Sequence, residues 1–229
     1  MIISHKYKFI FIKTGKTAGT SIEVFLSRHC GENDILTPIY PHVEPHIARN
    51  FKGLWNPLRS SANLLTLHAI KRTFKELCSL NKFFSHIPAV DVRARISRKI
   101  WDNYFKFCVE RNPWDKTLSY YHMLNHKSGG KMTLEEYFEK GDFCVNYPKY
   151  TDKNGGLIVD RVIKYESLTA ELGQIFDSLG IPFEGSLGVK AKSEYRNDRT
   201  PYREIFSNKQ IKIMKKVFEK EIAMHGYRY

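Results

Sequence analysis

A chain of 229 residues is the size of one domain and long enough to bury a substantial core. Its 42% hydrophobic and 14% aromatic content excludes a disordered polymer, and its apolar runs fall short of the ~20 residues that a membrane helix needs. The formal charge of +13 calls for a polyanionic partner such as nucleic acid, an anionic membrane surface, a nucleotide or an acidic glycan, without choosing among them. Cys30, Cys78, Cys108 and Cys144 are widely spaced and form neither a CxxC pair nor a disulfide framework, so reduced thiols are expected. With no secretory leader pattern near Met1, a soluble, cytoplasmic protein of bacterial or viral origin is the expectation.

The first informative stretch is Phe9 to Glu23, FIFIKTGKTAGTSIE. Phe9–Ile12 is an unbroken apolar run that suits a strand buried on both faces of a parallel sheet. Lys13–Gly19 turns, and from Thr20 the spacing of Ile22, Phe25 and Leu26 predicts a helix, with Glu23 expected in its dipole-facing first turn. A strand, a glycine-containing turn and a helix start make an anion site, because unpaired N–H groups and the positive end of the dipole converge there. Lys13 or Lys16 adds a full charge. Gly15-Lys16-Thr17 looks like the end of a Walker A loop, but that loop needs a glycine where Ile10 stands.

Residues 31–57 are rich in Pro, His and Asn and read as a surface excursion. His42 and His46 flank Glu44 there without a third ligand pattern, so no metal is assigned. Residues 63–80 predict a helix with Ile70, Phe74 and Leu77 on its apolar face and His68 at its entrance. Residues 88–101 predict a basic helix with Arg93, Arg95, Arg98 and Lys99 on a solvated face. Residues 104–109 (YFKFCV) predict a second strand.

The second motif follows directly: Glu110-Arg111-Asn112-Pro113-Trp114-Asp115-Lys116-Thr117-Leu118-Ser119. Asn112-Pro113 ends the strand and opens a helix, which holds Arg111 at the strand's carboxyl end and Ser119 about two turns along. Arginine offers a planar fork of donors matched to phosphate, and the serine hydroxyl adds another. Trp114, Tyr120 and Tyr121 read as core or helix-surface aromatics. Further on, residues 133–140 predict an acidic helix and 157–165 a third strand, leading into a helix that Gly180 closes. Residues 185–202 are basic and irregular. Ser207 caps a last amphipathic helix through Ala223. No repeat or composition break divides the chain, so one domain over 1–229 is expected.

Lys16-Thr17-Ala18-Gly19-Thr20-Ser21 resembles the 5′-phosphosulfate loop of sulfotransferases, which use 3′-phosphoadenosine-5′-phosphosulfate (PAPS). Arg111 and Ser119 around the Asn-Pro turn resemble that family's 3′-phosphate motif, with Lys116 where the family often has arginine. The string IKYESL is similar to its late strand and following helix. The resemblance implies an α/β, three-layer, P-loop-like fold with a central parallel sheet flanked by helices. It implies sulfuryl transfer from PAPS to a hydroxyl, with adenosine 3′,5′-bisphosphate (PAP) as product and no metal required. Residues 16–21 would hold the phosphosulfate, Arg111 and Ser119 the 3′-phosphate, and Lys16 would offset charge on the leaving oxygen. His68 would be the base, and Arg196 or Arg199 would reach the nucleotide's 3′-phosphate from a late basic loop. The positive charge favours an anionic glycan as acceptor. The competing readings are a P-loop kinase or NTPase, which lacks its first glycine here, and a basic nucleic-acid-binding module, for which no recognised motif is found.

Overall fold

The computed structural model describes residues 1–59, 67–189 and 200–229. Among these residues, five strands form one sheet in the order β3-β1-β2-β4-β5: β1 (Ile2–Ser4), β2 (Phe9–Phe11), β3 (Ile35–Leu36), β4 (Phe105–Glu110) and β5 (Arg161–Lys164). The expected central parallel sheet is corrected to a mixed one. β2, β4 and β5 are parallel, whereas β1 pairs antiparallel with both β2 and β3. The four residues between β1 and β2 allow only a hairpin reversal, since a parallel pair needs a crossover of a dozen residues or more. β3 lies inside the stretch expected to be a plain surface excursion.

Alternation along the strands builds two cores. Phe9, Phe11, Phe107, Val109 and Ile163 face one side, where helices α1 (Gly19–Ser27) and α7 (Leu168–Leu179) contribute Ile22, Phe25, Leu172 and Phe176. Ile10, Ile12 and Cys108 face the other, against Val92 and Trp101 from α3 (Ala89–Arg95) and α4 (Arg98–Asn103). Helices therefore cover both faces. Phe11 and Phe107 pack with centroids 5.2 Å apart, so truncating either to Ala should cost about 3–5 kcal/mol.

The expected 88–101 helix is two helices. Ile96 is extended and Ser97 caps α4 by accepting from the Ile100 N–H. Arg95 is not on a solvated face: it is 5% exposed, pairs with Glu76 at 2.7 Å and lies 3.7 Å over the Trp55 ring. Likewise, after the short α8 (Tyr202–Ile205), the last expected helix breaks at Phe218 into α9 (Asn208–Val217) and α10 (Glu219–His225). Between β4 and β5 run α5 (Pro113–Lys127) and α6 (Leu134–Lys140), the latter opened by a Thr133–Glu136 capping box. Trp114 and Leu118 of α5 pack with Met214 and Phe218 in a third core, so Trp114 is a core aromatic as expected. Helix α2 (Leu67–Cys78) carries the predicted 63–80 element. Its Ile70 and Phe74, expected on a buried face, are exposed, and Thr73 is buried instead.

Candidate functional site

The site is built where β2 and β4 end side by side. The Ile12 N–H donates to the Phe107 carbonyl at 2.9 Å, and the Thr14 hydroxyl donates to the Val109 carbonyl, so the loops leaving the two strands start in contact. In the first loop, Lys16 (φ 61°) and Ala18 (φ 58°) are both left-handed, a conformation costing about 1 kcal/mol for each non-glycine residue. With Thr17 between them, the backbone curls in the manner that forms an anion-binding concavity of N–H groups. Ala18 begins α1 and no side chain caps that end. The Thr17 hydroxyl is turned inward onto Thr14 at 2.8 Å, leaving Thr17 its backbone N–H as the group to offer an anion. Thr20 and Ser21 lie in the first turn of α1 and are nearly buried.

The two lysines of the loop have different tasks. Lys13 is buried and ion-paired with Glu23, which also meets the Met1 amino group. Burial alone would raise the Glu23 carboxyl, but these two cations outweigh it and hold it below the usual range. Glu23 is thus an interior partner and not the first-turn carboxylate that spacing suggested. Gly19 leaves room for this pair, because a Cβ there would come within 2.8 Å of Lys13 Cγ. Lys16 stays half-buried in the loop proper.

Arg111 joins the loops. Its Nη1 donates to the Lys16 carbonyl at 3.1 Å, Nε and Nη2 donate to Asp115 at 2.8 and 2.7 Å, and the guanidinium lies 4.1 Å over the Tyr165 ring. Of its five N–H groups, one on each terminal nitrogen has no partner among the described residues. Ser119 lies one turn beyond Asp115 on the same face of α5, half-buried. Asn112 caps α5 by accepting from Trp114 and Asp115, while its own N–H donates to Glu166 at 2.7 Å. The IKYESL string therefore supports the second loop through Tyr165 and Glu166.

Beneath both loops lies a buried polar hub. Glu110 Oε1 accepts from the Arg111 N–H (2.9 Å), Lys116 Nζ (2.8 Å) and Asn146 Nδ2 (3.2 Å); Oε2 accepts from the Tyr150 hydroxyl (2.9 Å). Lys116 also donates to Glu221 of α10 at 3.0 Å. Burial works against the Lys116 charge, but Glu110 and Glu221 outweigh it and hold the ammonium above its ordinary value. Burial raises Glu221 despite Lys116. Asn146 clamps Gly15 from both sides, accepting from its N–H at 2.7 Å and donating to its carbonyl at 3.0 Å, and its own N–H donates to Glu221 at 2.8 Å.

His86 stands at the loop entrance, its Nδ1 3.1 Å from the Lys13 carbonyl. Burial, then Lys13 and Lys149, push its pKa down to about 3. Asn146, Glu221 and His86 were not singled out from the sequence. The backbone of His68 lies in α2, while its side chain falls outside the described residues, as do Arg196 and Arg199. His46 is buried and bonded to the Thr37 carbonyl at 2.9 Å, a structural histidine. Among the described residues, no helix is long and apolar enough to cross a membrane.

Residues 1–228 match the profile of the sulfotransferase family. An uncharacterized protein of Archaeoglobus fulgidus is 32% identical over 115 residues, covering 47% of this chain and 94% of its own. The crystal structure of a sulfotransferase from Alicyclobacillus acidocaldarius aligns over 96% of each chain at 16% identity, with a TM-score of 0.38. With the family profile spanning nearly its whole length, the chain belongs to the sulfotransferase family.

Proposed function

We propose that the chain, acting as one domain with a P-loop-like nucleotide site, transfers the sulfuryl group of PAPS to a hydroxyl of an anionic glycan. The observation that carries this reading is the bond from Arg111 to the Lys16 carbonyl, which sets a phosphate-matched guanidinium beside an N–H-lined loop. Two anion-binding elements at adjacent strand ends suit a donor with a phosphate at each end of its ribose. The loop backbone at residues 17–21 holds the 5′-phosphosulfate, and Arg111 with Ser119 holds the 3′-phosphate.

Sulfuryl transfer, like phosphoryl transfer, depends on in-line positioning and charge stabilisation. The acceptor oxygen bonds to sulfur as the bond to the bridging phosphate oxygen breaks, and that electron pair leaves with PAP. Lys16 offsets the charge gathering on the bridging oxygen. A histidine takes the acceptor's proton, and His68 is the candidate that the sequence resemblance supplies.

Calorimetric titration tests the reading. Micromolar PAP binding is expected, with much weaker 5′-AMP binding and no preference for ATP with Mg²⁺. Preference for Mg·ATP would restore the kinase reading. Salt-sensitive polynucleotide binding indifferent to PAP would restore the nucleic-acid one.

A further inference from the structure

Helix α2 carries more apolar surface than the fold covers, and we propose that this surplus seats the protein on an anionic lipid surface. Thr73 of α2 is buried and Glu76 turns inward to pair with Arg95 at 2.7 Å, so this side holds the helix to the molecule. Ile70 and Phe74 lie round the helix from Thr73, on the side away from Glu76. They widen the apolar stripe without being covered: Phe74 is 69% exposed and Ile70 46%. Lys71 and Lys75 come next, both exposed and one turn apart, and edge the stripe with positive charge. The surface continues past the helix. The Gly53 N–H donates to the Leu80 carbonyl at 2.8 Å, which places Leu54, 77% exposed, beside Leu80. Lys52, paired with Asn81 in a β-bridge, and Lys82 add cations there.

Charge complementarity selects the occupant. A second copy would pack the same lysines against one another across a two-fold contact, and each pair of like charges would oppose it. A polynucleotide would satisfy the lysines and leave Phe74 and Leu54 against phosphate and water. The interface of an anionic bilayer satisfies both halves. Ile70, Phe74 and Leu54 enter the boundary between headgroups and acyl chains, while the lysines lay their stems along it and meet the lipid anions. With twelve residues, α2 lies along such a surface and is too short to pass through it. Six residues lead from Leu80 to His86, which bonds to the Lys13 carbonyl at the entrance of the anion loop. At about 3.4 Å per residue, that entrance is within about 20 Å of the docked face.

Flotation of the full chain with vesicles of equimolar phosphatidylcholine and phosphatidylserine tests this, with pure phosphatidylcholine as the control. Binding to the mixed vesicles alone is expected, weakening as salt is added. Phe74→Ser should reduce it about tenfold or more, and Leu54→Ser makes the same test from the neighbouring segment. Both side chains are largely exposed, so circular dichroism and thermal unfolding should match wild type. Lys71→Gln with Lys75→Gln should cost about fivefold for each lysine. Lys212→Gln with Lys216→Gln on α9 removes the same charge elsewhere and should change binding about twofold or less. Failure of wild type to bind the mixed vesicles would overturn the proposal, as would full binding by both serine variants. An equal loss in the α9 variant would show attraction by net charge without a docking face. A wild-type dimer in sedimentation that Phe74→Ser dissolves would give the surface to a second copy, and polynucleotide binding lost in Phe74→Ser would give it to nucleic acid.

Discussion

Arg111 reaches across from the end of β4 to hold the main-chain carbonyl of Lys16 at 3.1 Å, so the residue matched to one phosphate also positions the loop matched to the other. Removing it should therefore show at both ends of the nucleotide, unequally. Arg111→Ala is expected to weaken PAP by about 10–150-fold, the worth of a charge-assisted bond, and 5′-AMP by about 2–10-fold, the worth of a neutral one. Equal losses in calorimetry would show that the guanidinium acts on the loop alone.

Lys16→Ala should separate binding from chemistry. The loop N–H groups remain, so PAP affinity should change little, while single-turnover transfer should fall about 10²–10³-fold. Unchanged transfer would remove Lys16 from the chemistry.

Asn146 predicts a selective defect. Asn146→Ala strips both partners from the Gly15 peptide, at about 1–3 kcal/mol for each buried group left unpaired. Affinity for 5′-AMP should fall more than tenfold, about 1.4 kcal/mol, while 3′-AMP, held by Arg111 and Ser119, should be nearly unaffected. A parallel loss of both would place Asn146 in general stability only.

Gly15 is fixed by what lies against it. A Cβ there would collide with Cys144 Sγ, so Gly15→Ala should destabilise by about 1–3 kcal/mol. Adding Cys144→Ala should restore much of that in urea unfolding. Failure of the second change to rescue would mean the strain lies in the backbone.

Lys116→Met leaves Glu110 and Glu221 facing each other without their shared cation, which should cost about 3–5 kcal/mol at neutral pH. The pH dependence follows from the sign. Burial already raises Glu221, and removing the cation that opposes this takes its folded-state pKa further above the unfolded value, so the folded state binds protons more tightly. Stability of the variant should then fall as pH rises above about 4.5 and recover partly in acid. Denaturation at pH 5 and pH 8 reads this directly.

The strand, turn and helix start of the two motifs were legible in the sequence because each is a local event within twenty residues. β1 and β3 were not, since strands of three and two residues show no periodicity. The breaks at Ile96 and Phe218 hid because the apolar stripe runs through them; only Ser97, a capping residue mid-run, signalled the first. Spacing placed Lys13 and Glu23 at the loop and helix but did not say that they pair, which made Glu23 look like a dipole partner. Asn146 reaches Gly15 across 131 positions and Glu221 reaches Asn146 across 75, separations for which pattern reading has no term. His86 is reached from Lys13 across 73.

The chain of bonds from Gly15 through Asn146 to Glu221 makes the earliest loop depend on a helix near the far end of the chain. Contacts of such long sequence separation form late, because loop-closure entropy is paid before they contribute. The proposed nucleotide site should then be among the last parts of the molecule to mature, and a refolding intermediate with an intact sheet but undocked α10 should fail to bind PAP. By linkage, saturating PAP at the proposed site should slow amide hydrogen exchange in α10.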